Sequence, residues 1–413
     1  MDSRELIPHL FRTEYSKITA VLCKFFGFDH IELAEDIASE TFALALDSWP
    51  YKGVPENPTA WLYTVAKNKA KNQITRAKIF EEKVKDQITL SVRSEAEVDL
   101  SSKSIVDSQL QMLFAICHPV IPPEAQVGLA LRILCGFGIE EIANAFLTNS
   151  ETIKKRLVRA KEKLKEEKVE ISFPQEAEIQ TRLERVLQTL YLLFSEGYYS
   201  ESKNTVVRED LCLEAMRLTQ LLIEHAPTNQ PIVNALMSLM CFHASRFPAR
   251  KSENGEIVLY QEQNEALWNQ ELISNGAFYL HAASQGKTVS KYHIEAQIAY
   301  WHTVKQDSTE KWENILQLYN RLLQIEYSPI AALNRTFALY KAHAHLPNDE
   351  GKRMAVIEAE KLQLTANHYY FTLLGQLYKG IDALKAKQNF QKALTLAKTD
   401  ADKKTITRYL SED

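Results

Sequence analysis

At 413 residues, 45% of them hydrophobic, the chain exceeds what one core organises and reads as two or three domains. A net charge of −4 excludes a protein that coats nucleic acid over its whole surface, so any such contact must be confined to local basic stretches. No apolar run approaches the roughly 18–20 residues of a membrane span, and Met1-Asp2-Ser3-Arg4-Glu5 lacks the order of an export signal, so a cytoplasmic protein without membrane contact is expected. The five cysteines are scattered and never spaced C-x-x-C, which argues against a disulfide framework or a zinc site and for buried reduced thiols.

Helical spacing dominates and glycines are few, so the predicted fold is all-α. The first helices are expected over 6–26, 31–47 and 58–79, with Trp49 to Pro58 as a proline-punctuated loop. In the third helix Leu62, Val65, Ala66 and Ile74 share an apolar stripe, while Thr64, Lys67, Asn68, Lys71, Thr75 and Lys78 recur on the opposite side. Lysines there suit phosphates, and Asn68 offers both a donor and an acceptor to the edge of an unstacked base. Trp61 suits either base stacking or an anchor in the core. Taken alone, this face is equally well an ordinary solvated one. The preceding helix places Glu35, Asp36 and Glu40 on an otherwise apolar background.

Residues 86–104 are rich in Ser, Asp and Glu and read as a flexible linker. Helices follow over 106–116, 123–134, 139–146 and 150–166. The last two, joined by Leu147-Thr148-Asn149, make a helix-turn-helix, with Thr148 and Glu151 spaced as a capping box. Ile153, Leu157, Ala160 and Leu164 form the predicted buried stripe of the final helix, and Thr152, Lys155, Arg156, Arg159 and Lys163 project outward. Such a helix fits a major groove, and Arg156 and Arg159 are the candidates for guanine because a guanidinium fork bonds O6 and N7 together. A charged solvent face is the plainer alternative.

The order of these two constellations, an acidic helix before W-L-x-x-x-A-x-N and then a basic helix-turn-helix, resembles the extracytoplasmic-function sigma factors of RNA polymerase. The resemblance covers about residues 6–166. It implies residues 1–85 as region 2, binding the largest-subunit clamp and the minus-ten element, and residues 105–170 as region 4, binding the minus-thirty-five element and the second-largest-subunit flap. By position, Asp36, Glu40 and Phe42 are then implied at the polymerase contact. Asn68, Lys67 and Lys71 fall on the minus-ten strand, and Thr152, Lys154, Lys155, Arg156 and Arg159 on the minus-thirty-five duplex. In that family the linker threads near the RNA exit path, where Glu95, Glu97 and Asp99 would mimic nucleic-acid charge; a solvated tether explains the same acidity. The implied partners are core RNA polymerase and promoter DNA, with no enzymatic activity, cofactor or metal.

Residues 171–413 are expected as a tetratricopeptide-like helical domain with a regulatory role and a protein partner of its own. Its helices are expected at about 176–196, 206–225, 230–246, 263–284, 290–304, 309–325, 329–345, 350–363, 367–379, 381–387 and 389–398, and the one candidate strand is Glu256 to Tyr260. Phrases such as Leu193-Phe194-Ser195-Glu196-Gly197-Tyr198 and Ser328-Pro329-Ile330-Ala331-Ala332-Leu333-Asn334-Arg335 resemble the sigma subgroup with a helical-repeat extension. Arg208 with Asp210 reads as a structural ion pair. His243, His281, His293 and His302 lack helical zinc spacing, and Trp268, Trp301 and Trp312 read as core. Two other readings stand beside the leading one. A free-standing helix-turn-helix regulator would leave the Trp61 helix unused, and an adaptor scaffold would leave both basic helices idle.

Overall fold

The computed structural model describes residues 3–83, 98–146, 148–198, 208–250, 258 and 260–411, with backbone alone at 3–5, 77–83, 261 and 401. Among them there is no strand, and the fold is all-α. The chain forms two compact units, Met1–Leu193 and Phe194–Asp413.

The first unit opens with α1 (Ser3–Phe26), α2 (Ile31–Lys52) and α3 (Pro58–Lys83). α2 outruns its predicted end and continues through Pro50. A proline this close to the end forfeits little, and Gly53, at φ 83°, closes the helix by donating to the Trp49 carbonyl at 3.0 Å. Buried Trp49 and half-buried Trp61 meet edge to face at 5.4 Å and join α2 to α3, which supports the anchoring role for Trp61.

α4 (Ser102–Ile116) starts inside the stretch predicted as linker, because the Ser101 hydroxyl accepts from the Ser104 N–H and caps it. α5 (Pro123–Leu129) runs on as a π-helical turn, Ala130–Leu134, before α6 (Ile139–Ala145) and α7 (Ser150–Glu166). Gly128 lets α5 approach α7 closely, since a Cβ there would lie 3.1 Å from the Leu157 side chain. α8 (Ile179–Tyr198) contains the boundary between the units. Its first half belongs with the helix-turn-helix: Arg182 donates to the Phe114 carbonyl at 2.7 Å and the buried Thr189 hydroxyl to Gln126 at 2.9 Å. The structural unit therefore extends past the compositional break at Phe173-Pro174.

The second unit contains α9 (Glu209–Glu224), α10 (Pro231–Ala244), α11 (Gln270–Ala283), α12 (Lys291–Trp301), α13 (Thr309–Ile325), α14 (Pro329–Ala342), α15 (Glu350–Leu362), α16 (His368–Tyr378), α17 (Ala383–Leu396) and α18 (Asp400–Ser411). Each packs chiefly on its neighbours in the chain, so the core is a succession of local interfaces. The helix expected over 263–284 is divided, because Asn269 caps α11 through the Leu272 N–H at 3.0 Å. The two expected at 381–387 and 389–398 are one helix, nothing at Gln388 interrupting the pattern. α18 was not anticipated; its apolar stripe is short, with Ile406 buried and Leu410 half-buried. Of the candidate strand, Glu256, Ile257 and Leu259 lie outside the described residues, and Tyr260 opens a single 3-10 turn. Arg208 and Asp210 form the expected pair, at 3.0 and 2.8 Å.

Candidate nucleic-acid and polymerase interface

α3 buries Leu62, Ala66 and Ala70 completely, with Val65 and Ile74 half-buried, so its core face is the one the spacing predicts. Opposite lie exposed Thr64, Asn68, Lys71 and Thr75 and half-buried Lys67. The two threonine hydroxyls donate back to the carbonyls of Ala60 and Lys71, at 2.8 and 3.0 Å, which leaves amide and ammonium groups as the outward chemistry. Lys78 has no described side chain.

α2 runs beside it. Asp36 and Glu40 are exposed, and the Glu40 carboxylate accepts from Lys69 at 2.6 Å, tying the acidic face of α2 to the basic helix. Phe42 does not belong to this surface. It is 2% exposed, stands edge-on to Phe11 at 5.1 Å and lies 6.3 Å from Tyr15. Withdrawing such a side chain from the core costs about 1.5–3 kcal/mol, so its place in the implied polymerase contact is corrected to a core role.

In the helix-turn-helix the capping residue is Asn149 rather than Thr148: its side chain accepts from the Thr152 N–H at 2.7 Å. Ile153, Leu157, Ala160 and Leu164 are all buried, as predicted. Thr152, Lys154, Lys155 and Arg159 are exposed, and Arg156 is half-buried with its guanidinium 5.8 Å from the Phe146 ring centre. Thr152, Lys155, Arg156 and Arg159 thus share one side of the helix, while Lys154 projects from the opposite flank of the buried stripe.

The basic stretch of α7 is divided by an arrangement that sequence reasoning missed. Lys161 turns inward and donates to Glu35 at 2.5 Å, and Arg132 donates to the other oxygen of the same carboxylate at 2.9 Å. Lys165 reaches Glu32 at 3.0 Å. Burial opposes ionisation of Glu32, but hydrogen bonding and the nearby lysines prevail and hold its carboxyl below the usual range. Glu35 is 8% exposed, and its two cations come from the π-turn and the recognition helix, so one buried carboxylate joins α2 to the helix-turn-helix. The signal was present in part: Glu35 occupies a buried position between Ile31 and Ala38 on the apolar side of α2, where an acid requires a partner. Nothing local named that partner.

Glu95 and Glu97 lie outside the described residues, while Asp99 accepts from the Ser101 N–H and hydroxyl at 2.9 and 3.0 Å, ahead of α4. Among the described residues no helix is long and apolar enough to cross a membrane, and no group of three or more His, Cys, Asp or Glu side chains is placed to hold a metal ion.

Residues 10–79, which contain α2 and most of α3, match sigma-70 region 2. Residues 182–284 match a family of unknown function, DUF6596. An uncharacterized protein of Rhizobium meliloti (strain 1021) is 32% identical over 378 residues, covering 90% of this chain and 87% of its own length. The chain belongs to the family of that rhizobial protein. No solved structure matches it. The match to sigma-70 region 2 supports a role as a sigma factor in transcription initiation and implies binding of core RNA polymerase and promoter DNA.

Proposed function

We propose that this chain is a sigma factor of the extracytoplasmic-function type that grips one promoter at two places and carries a helical domain that modulates it. Asp36 and Glu40 on α2 dock on the clamp of the largest polymerase subunit. Asn68 takes a flipped base of the minus-ten element, with Lys67 and Lys71 beside the strand. Thr152, Lys154, Lys155, Arg156 and Arg159 of α7 enter the major groove of the minus-thirty-five element, while the rest of that region rests on the flap. The observation that carries this reading is the juxtaposition, within the matched region, of the exposed acids of α2 with the exposed amide and ammonium groups of α3.

From Arg156 to Lys161, across to Glu35, on to Glu40 and across to Lys69 there are two short helical rises and two helix-to-helix steps. At 1.5 Å per residue and about 10 Å between packed axes, Arg156 and Asn68 lie within about 40 Å of each other. Positions minus ten and minus thirty-five are about 25 base pairs apart, or about 85 Å of duplex at about 3.4 Å per base pair. The buried Glu35 contacts must therefore open before both elements are engaged on one straight duplex.

Run-off transcription with core polymerase across a promoter library tests the reading. The full chain is expected to bind core and to start transcripts at chosen sites; absence of both overturns it. A free-standing regulator would bind duplex without core, and capture of core by the purified chain separates the two.

A further inference from the structure

In the second unit Arg246 and Arg250 form no ion pair among the described residues, and each keeps a buried N–H without a partner. Arg246, just after α10, is 7% exposed; it donates to the Tyr198 hydroxyl at 3.0 Å, and its Nε has no partner. Arg250 stacks its guanidinium 3.9 Å above the Tyr198 ring, and its Nη1 is buried without a partner. Tyr260 lies 5.4 Å from the Arg246 guanidinium and accepts at its hydroxyl from Lys311, itself only 2% exposed, at 3.1 Å. His243 packs 4.4 Å from Tyr198 and His302 5.0 Å from Tyr260, each with an unpartnered buried Nδ1, and the indole N–H of Trp268 beside Tyr260 is likewise unpartnered. Asp307, which also acts on Tyr260 and Lys311, is occupied by Lys341 at 2.8 Å and by the Trp312 indole N–H.

A guanidinium cannot shed its proton in a protein, and burying one without a counter-charge costs several kcal/mol. Buried Arg246 and half-buried Arg250, each with a buried N–H donor left over, together with an indole donor, form an arrangement that an oxyanion would complete: the planar fork suits carboxylate and phosphate oxygens. We propose that Arg246 and Arg250, with Trp268, form a binding site for a small phosphate- or carboxylate-bearing ligand. The site stands independently of the sigma-factor reading. Burial, then Arg246 and Lys311, push His302 down to about 3, and burial, then Arg246, Arg250 and His302, push His243 well below its usual value. An anion seated here raises both.

The test uses the full chain in phosphate-free chloride buffer, titrated calorimetrically with inorganic phosphate, pyrophosphate or citrate; the arms distinguish phosphate from carboxylate chemistry. Saturable binding of at least one is expected, with a melting temperature that climbs with its concentration. R246M and R250M should each weaken binding at least tenfold without lowering stability in ligand-free buffer, because each removes an uncompensated charge. R246K and R250K keep the charge and lose the fork, and should weaken binding severalfold; they decide the matter if the methionine variants do not fold. Histidine proton resonances should titrate higher with ligand bound. No saturable binding in any arm, or binding undiminished by the substitutions, overturns the proposal.

Discussion

Both units bury charge, and they handle it in opposite ways. In the first, Glu35 is nearly enclosed, and its two oxygens are taken separately by Arg132 and Lys161, so the charges close on one another and tie α2 to α7. In the second, buried Arg246 and half-buried Arg250 lie among aromatic rings with buried donors to spare and no ion pair among the described residues. The difference separates a charge that the fold completes for itself from one that it leaves for something else to complete.

The largest effect should come from opening the closed cluster. E35A leaves two cations facing a low-dielectric interior and should lower the stability of the first unit by about 3 kcal/mol. Peptide-resolved hydrogen exchange would follow it, and unchanged protection in α2 and α7 would show that the cluster carries no weight. Acid provides the matching probe of the other unit. His302 and His243 sit below their unfolded values, so the unfolded chain takes up protons first. Their contribution is complete above about pH 6.5 and fades as the pH falls toward the depressed value near 3 for His302. Denaturant midpoints measured across that window should decline for the second unit, and less so in H302Q.

On the DNA-facing side, R156A or R159A should cost about 1–3 kcal/mol in affinity for a specific duplex if the fork reads a base. Gel-shift titrations that show equal losses on random duplex would assign these residues to the backbone instead. Removing the helix cap with N149A should cost about 1 kcal/mol and appear as fraying of the first turn of α7 in hydrogen exchange. K69A, which breaks the solvent-facing pair with Glu40, should change stability by less than about 1 kcal/mol, the usual value of an exposed ion pair, as read from a denaturant melt.

What the sequence by itself determined is local. The period of apolar residues placed α3 and α7 and their buried stripes, because a helical repeat of 3.6 residues writes its core face into any dozen consecutive positions. The polar faces carrying Asn68, Lys71, Thr152 and Arg159 followed from the same period. Where local signals competed, packing chose: Asn149 displaced Thr148 as the cap, α2 ran through Pro50, and Phe42 turned into the core with Phe11 and Tyr15. Only the tertiary structure decided which charges meet. Glu35 finds Lys161 more than a hundred positions away, and Tyr198 and Arg246 join across α9 and α10. Burial makes such groups costly wherever they lie in the chain, and the chain order says nothing about which of them will share the same few ångströms.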